Sequence, residues 1–281
     1  MRKWYVLTAC LWLGVAHGAQ LPSVVSIEVS GDDQEHRDAY LDMDVGLHNE
    51  SRLLLSTGIN DSINADEVVT RQALIGLRTD PLRKFSGGFD LEYWGEDDTF
   101  TIDTLRLVLD VNTEHWAFSL KPQWRTLVFF TDCLEFIFPK CRPEVIVKSF
   151  GYLLNMGYYT NGPWSFSLAY AKHDYNREVE SLDDYPVFEL LFSASTMELA
   201  SGLEDYRAQF SVAYSWDEQT VGLNRFKSVA KVDGVESLVT TLRYSTALDS
   251  RWRLRLRGGV QSFSGGQGSM SFGSAGLSYS W

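Results

Sequence analysis

The sequence predicts an all-β chain: a single transmembrane, antiparallel, up-and-down β-barrel of fourteen strands. Three observations predict it. Alternating segments of barrel-strand length recur from Val24 to the last residue, Trp281. The connections between them are short and long by turns. No stretch beyond the first eighteen residues is long and apolar enough to read as a helical span. A membrane strand needs about 9–11 residues, apolar on one side only. Such a chain has unremarkable bulk hydropathy, and the mean here is -0.16. A soluble β-sandwich would share that number, so the termini must decide between the two.

The segments, in order, lie near residues 23–30, 37–47, 52–60, 69–79, 85–95, 99–111, 116–130, 145–160, 164–176, 206–216, 220–230, 237–247, 251–263 and 269–281. The clearest sets Tyr206, Ala208, Phe210, Val212, Tyr214 and Trp216 against Arg207, Gln209, Ser211, Ala213 and Ser215. Another sets Trp164, Phe166, Leu168 and Tyr170 against Ser165, Ser167 and Ala169. Aromatics at strand ends suggest girdles at the two membrane interfaces.

The short connections are 48–51, 79–84, 112–115, 161–163, 217–219 and 248–250. The longer ones, which carry most of the acids, include 31–36, 60–68, 95–98, 131–144 and 177–205. Short turns inside and long loops outside are the asymmetry of membrane barrels. An even strand number also returns the C-terminus to the side where the chain began. Pro186–Phe192 could add a strand but would break that parity, and counts of 12 or 16 stay open. The loop 177–205 has an apolar part, Val187–Phe192 with Met197, Leu199 and Leu203. It either packs into the barrel mouth as a lid or extends a strand pair above the membrane.

The two ends of the chain set the compartment. Residues 1–18 read as a secretory signal peptide: Arg2 and Lys3, an apolar run from Trp4 to Val15, and the small-x-small site Ala16-His17-Gly18. Leu7-Thr8-Ala9-Cys10 also fits a lipoprotein cleavage box, but the apolar run continues past it. One barrel, 19–281, would fill the mature chain. At the other end Gly276, Tyr279 and Trp281, with Ser274 two residues before the glycine, form a strand that stops on an aromatic. This ending resembles the C-terminal signal of Gram-negative outer-membrane β-barrel proteins. The resemblance implies export through the periplasm, insertion by the barrel-assembly machinery, and an integral place in the cell outer membrane. Its lipids and lipopolysaccharide would then be partners.

The formal net charge is −12, and cleavage after Gly18 removes two cations and no acid. So acidic a chain makes a poor nucleic-acid binder. Two cysteines would remain, Cys133 and Cys141, in a predicted loop. An oxidising compartment favours a disulfide between them, and two free thiols are the alternative. Their spacing matches no zinc motif, the Asp-rich loops lack the spacing of a calcium loop, and no cofactor is indicated.

Residues two apart on a strand share a face, and lipid tolerates charge badly, so charged positions map the lumen. Arg251, Arg253, Arg255 and Arg257 alternate with Trp252, Leu254 and Leu256. Facing lipid, each would cost about 2–4 kcal/mol near the midplane, so they must point inward. Arg243, Arg207, Arg225 and Lys227 are expected to extend this basic wall. Asp38, Asp42 and Asp44 oppose Ala39, Leu41 and Met43, and with Glu28, Asp90 and Glu92 they make an acidic wall. Opposed walls across water would select small polar solutes. Alternatively the arginines and acids pair and brace a closed lumen. Nucleophilic catalysis needs a positioned histidine. His173 beside Asp174 is the one candidate near an outer rim, and no catalytic motif accompanies it.

The expectation is a porin-like channel for small hydrophilic solutes, with an anion preference from the arginine ladder. A non-conducting barrel with a structural, assembly or export role is the alternative. An outer-membrane lipid or peptide hydrolase is a second.

Overall fold

The computed structural model describes residues 22–33, 36–47, 51–62, 69–79, 84–96, 100–130, 144–176, 203–231, 234–264 and 268–281. Within them the chain forms fourteen strands: β1 (Val24–Asp32), β2 (His36–Gly46), β3 (Ser51–Ser62), β4 (Val69–Thr79), β5 (Phe85–Glu96), β6 (Phe100–Asn112), β7 (Trp116–Phe130), β8 (Glu144–Tyr159), β9 (Trp164–Tyr175), β10 (Glu204–Trp216), β11 (Gln219–Ala230), β12 (Glu236–Ala247), β13 (Trp252–Phe263) and β14 (Ser269–Ser280). Every predicted segment became one of them, with ends moved by two residues at most. Each strand pairs antiparallel with its sequence neighbours, and β1 pairs with β14 to close the barrel. Closure matters energetically. A barrel has no edge, so every strand's backbone groups are paired without water, which is the condition for a sheet to sit in lipid.

The closing seam runs from Val24 opposite Ser280 to Asp32 opposite Phe272. It ends in a reciprocal pair of backbone bonds, Ser23 N to Trp281 O at 3.1 Å and Trp281 N to Ser23 O at 3.0 Å. The terminal aromatic thus locks the first strand to the last.

Alternation decides which face is which. Ile27, Val29, Leu91, Leu105, Phe118, Leu168, Phe210 and Leu256 are all exposed although apolar. The register places them on one continuous outer surface. In water such a surface would be a large apolar patch; around a closed barrel it is a lipid-facing belt. At the end carrying the tight turns, the start of β1 and the end of β14, outward aromatics stack in a ring. Trp116 lies 4.7 Å from Tyr158, Trp164 4.9 Å from Tyr214 and Trp252 4.8 Å from Tyr279, centroid to centroid. Trp124 with Phe150 marks the opposite rim at 5.4 Å. These are interfacial girdles, where an aromatic body sits in lipid and its polar edge meets the headgroups.

The turns explain the register. β10 and β11 are joined by Asp217 and Glu218 alone, and Asp217 has a positive φ of 48°. Two-residue hairpins require that left-handed backbone, which an Asp side chain tolerates. Cys133 and Cys141, the signal peptide 1–18, Pro186–Phe192, Met197 and Leu199 lie outside the described residues.

Candidate functional site: the barrel lumen

The inward face follows from the same parity. Arg253, Arg255 and Arg257 of β13 point to the lumen, opposite Ser278, Gly276 and Ser274 of β14. Arg243 of β12 stands directly beside Arg257. Four guanidinium groups therefore share one sector of the wall. Arg257 has a carboxylate partner: its Nη2 lies 3.1 Å from Glu28 Oε1 on β1, and its Nε donates to Ser274 Oγ at 3.3 Å. Among the described residues, the side chains of Arg243, Arg253 and Arg255 have no carboxylate partner, and all three residues are exposed. An inward-facing yet exposed guanidinium means open space in front of it.

The acidic sector abuts the basic one around the closed wall, as the strand order implies. Asp38, Asp42 and Asp44 face inward on β2, and β2 is three strands from β13 around the wall. The basic and acidic sectors are neighbours, joined through the Arg257–Glu28 pair, so the field between them runs along the wall rather than across the lumen. Ser30 Oγ donates to Asp38 at 2.7 Å and Ser56 Oγ to Asp42 at 2.6 Å. Arg52 Nε donates to Asp44 at 2.7 Å.

Asp90 and Glu92 of β5 are neutralised by arginines the sequence map did not single out. Asp90, 1 % exposed, receives Arg78 Nη2 at 2.6 Å and lies 3.6 Å from Arg106 Nη1. Arg106 Nη2 also reaches Glu92 at 2.9 Å, and Gln72 Nε2 donates to Glu92 at 3.0 Å. Gly76 on β4 makes room: a Cβ there would collide with the Asp90 carboxylate. The signal was present, since Arg78 and Arg106 hold inward positions in their alternations. Only the cross-strand register says which acid each one meets.

Three cations depart from the predicted map. Arg251 belongs to the turn before β13, and its Nη1 bonds the Tyr279 hydroxyl at 3.1 Å on the outward rim rather than in the lumen. Arg225 and Lys227 of β11 pair with Phe210 and Ala208 of β10, all of them on the lipid side. They share the alternation of Val221 and Leu223, which face lipid, so the period of β11 carries both cations outward. Lys227 Nζ pairs with Glu236 Oε1 at 2.6 Å. Arg207 is inward, its Nε 3.7 Å from Glu204.

The β5–β9 side of the lumen is filled. Inward Trp94, Phe100, Ile102, Leu127, Phe129 and Val147 form a buried cluster, joined by Leu203 from the start of β10. Trp94 meets Phe100 edge-on at 4.9 Å. Tyr175 packs against the cluster, and its hydroxyl donates to Glu204 O at 2.9 Å. Leu203 is the one apolar residue of the long connection within the described chain, and it is buried here. Next to the cluster His173 is buried, 3.0 Å from Gln123 Nε2. Asp174 faces outward opposite Phe150, so the adjacent pair does not converge as a catalytic dyad.

No family model and no curated protein matches this chain. Solved structures do resemble it. A KdgM porin in complex with disordered oligogalacturonate aligns over 92% of this chain and 99% of its own at 9% identity, with a TM-score of 0.44. Pseudomonas aeruginosa OpdK with vanillate aligns over 92% and 98% at 10% identity, TM-score 0.46. A loop L8 deletion mutant of OmpT, an outer membrane protein of Vibrio cholerae, aligns over 92% and 98% at 9% identity, TM-score 0.49. At such identity nothing of their ligands carries over, and what the chain itself displays is an integral, outer-membrane-type β-barrel with an arginine-lined sector.

Proposed function

We propose that this barrel is a porin-like outer-membrane channel for small hydrophilic solutes, with a preference for anions. The carrying observation is the set Arg243, Arg253 and Arg255: inward, exposed and without carboxylate partners among the described residues. Charge rows on a water-filled path select ions by sign. Asp90, Glu92 and Asp44 are each paired with an arginine, whereas Asp38 and Asp42 accept from serines in the neighbouring sector. In this reading residues 1–18 are removed on export, the Gly276–Trp281 ending is read by the assembly machinery, and Cys133 bonds Cys141.

The test is conductance of the folded, purified chain in a planar lipid bilayer. Stepwise openings with a zero-current potential of anion-selective sign support the proposal. No conductance above background overturns it.

A second reading has its own observation. The Arg78–Asp90–Arg106–Glu92 network and the Trp94–Leu203 cluster brace one side of the lumen. If they met the opposite side, the barrel would be a non-conducting envelope scaffold, silent in bilayers and co-purifying with a stable partner. The hydrolase reading has lost its one candidate dyad, because His173 and Asp174 face opposite sides of the wall.

A further inference from the structure

The register of the closing seam lines up a cation and an acid that cannot meet. One row of cross-strand partners runs from Arg253 on β13 through Ser278 on β14 and Ser26 on β1 to Asp42 on β2. All four share the inward parity of Arg257 and Glu28. Arg253 is exposed and Asp42 half-buried. Among the described residues, Asp42 accepts from Ser56 Oγ at 2.6 Å and has no cation paired with it. The Arg253 guanidinium has no partner among them.

The neighbouring charges show why this row differs. Arg257 closes on Glu28 at 3.1 Å across one intervening strand. Asp44 is taken by Arg52 of the adjacent strand at 2.7 Å. Between Arg253 and Asp42 stand two strands, so the backbones are three inter-strand steps apart, roughly 14 Å. The Arg257–Glu28 contact spans two such steps, and an aspartate is one methylene shorter than a glutamate. A direct Arg253–Asp42 pair therefore falls short by about one step, roughly 5 Å. Only serines fill the interval. Ser26 and Ser278 are each 8 % exposed, and the Ser278 hydroxyl is turned to Arg253 O at 3.4 Å. They are short and uncharged, so the wall between the two ionic groups is a shallow polar trough.

A simple ion would be attracted at one side of this trough and repelled at the other. A molecule carrying both charges is attracted at both. An extended residue spans about 3.3–3.6 Å, so an amino acid or a dipeptide is long enough to bridge the interval. Its carboxylate would lie on Arg253 and its ammonium on Asp42, each through a charge-assisted hydrogen bond. We propose that the lumen holds a zwitterion site between Arg253 and Asp42, for solutes of the amino-acid and dipeptide class. The inference rests on the channel reading for the route by which such a solute arrives, and adds which solutes dwell in the path.

The experiment is a saturation-transfer NMR titration of the full, folded barrel in detergent at neutral pH. The probes are alanylalanine, its C-terminal amide and its N-acetyl form. The wild type should bind alanylalanine about tenfold more tightly than either blocked form, the ratio expected when one charge-assisted bond is lost. Arg253→Gln should bind alanylalanine and the amide alike. Asp42→Asn should bind alanylalanine and the acetyl form alike. Equal binding of the three probes by the wild type, or binding of none, overturns the proposal. So does tighter binding of the acetyl form than of alanylalanine, which would make this a plain anion site. Should either variant fail to fold, judged by heat-modifiable gel migration, the wild-type ratios decide. Bilayer recordings separate this proposal from the channel reading. A barrel that conducts without discriminating the probes keeps the channel and loses the site, and a silent barrel that discriminates them keeps the site and loses the channel.

Discussion

Arg257 reaches over an entire strand to Glu28. Its Nη2 stands 3.1 Å from Glu28 Oε1, although β14 lies between β13 and β1. The contact exists because β14 offers Ser274 and Gly276 on its inward face, too small to block the arginine. A pair separated by 229 positions in sequence thus spans the closing seam of the barrel from inside, while Ser23 and Trp281 bond at its rim.

The first prediction concerns that seam. A Cβ on Gly276 would lie 3.2 Å from Ile27 O and 3.5 Å from Glu28 Cβ. Gly276→Val should destabilise the folded barrel by about 1–3 kcal/mol through overpacking, read as a lower urea midpoint in detergent. Gly276→Ala should cost less, because the single methyl needs a shift of only tenths of an ångström.

Reversing the unpaired arginines should reverse selectivity. With Arg253→Glu and Arg255→Glu combined, the zero-current potential across a salt gradient should move from the anion to the cation side. Arg52→Ser, which removes a cation already matched to Asp44, should move it far less. Equal shifts from both changes would mean that the paired and unpaired arginines are not distinct.

Asp90 should behave as a structural carboxylate. It is almost fully buried and touches both Arg78 and Arg106. Asp90→Asn leaves two arginines competing for Glu92 and Gln123. Breaking a buried ion pair by removing one partner costs about 3–5 kcal/mol, so equilibrium unfolding should register a large loss. Removing Arg78 as well should restore part of it, and that coupling is what a double-mutant cycle would measure.

The β12–β13 turn should loosen in acid. The Asp249 carboxylate accepts from the amides of Arg251 at 2.7 Å and Trp252 at 2.8 Å, and these bonds hold its pKa below the ordinary 3.8. A depressed folded value means the stabilisation is complete at neutral pH. It is lost only as pH falls below about 3.8 and through the lowered folded value. Hydrogen exchange at the Arg251 and Trp252 amides should accelerate in that window. In Asp249→Ala it should be fast at every pH.

The sequence by itself placed fourteen strands with ends within two residues of those observed, and set the closed parity and the inward direction of Arg253, Arg255 and Arg257. The reason is local. A half-buried strand repeats every two residues, and lipid penalises an outward charge enough to fix the phase wherever several charges fall in line. Where that pressure is weak, charge does not mark the phase: Arg225 and Lys227 stand on the lipid side of β11, and Arg251 leaves the ladder for Tyr279. Only the tertiary structure decided which acid each arginine meets and which inward side chains are buried. Those facts depend on register across strands distant in sequence and on the shape of the closed wall, and neither is written in the period of any one strand.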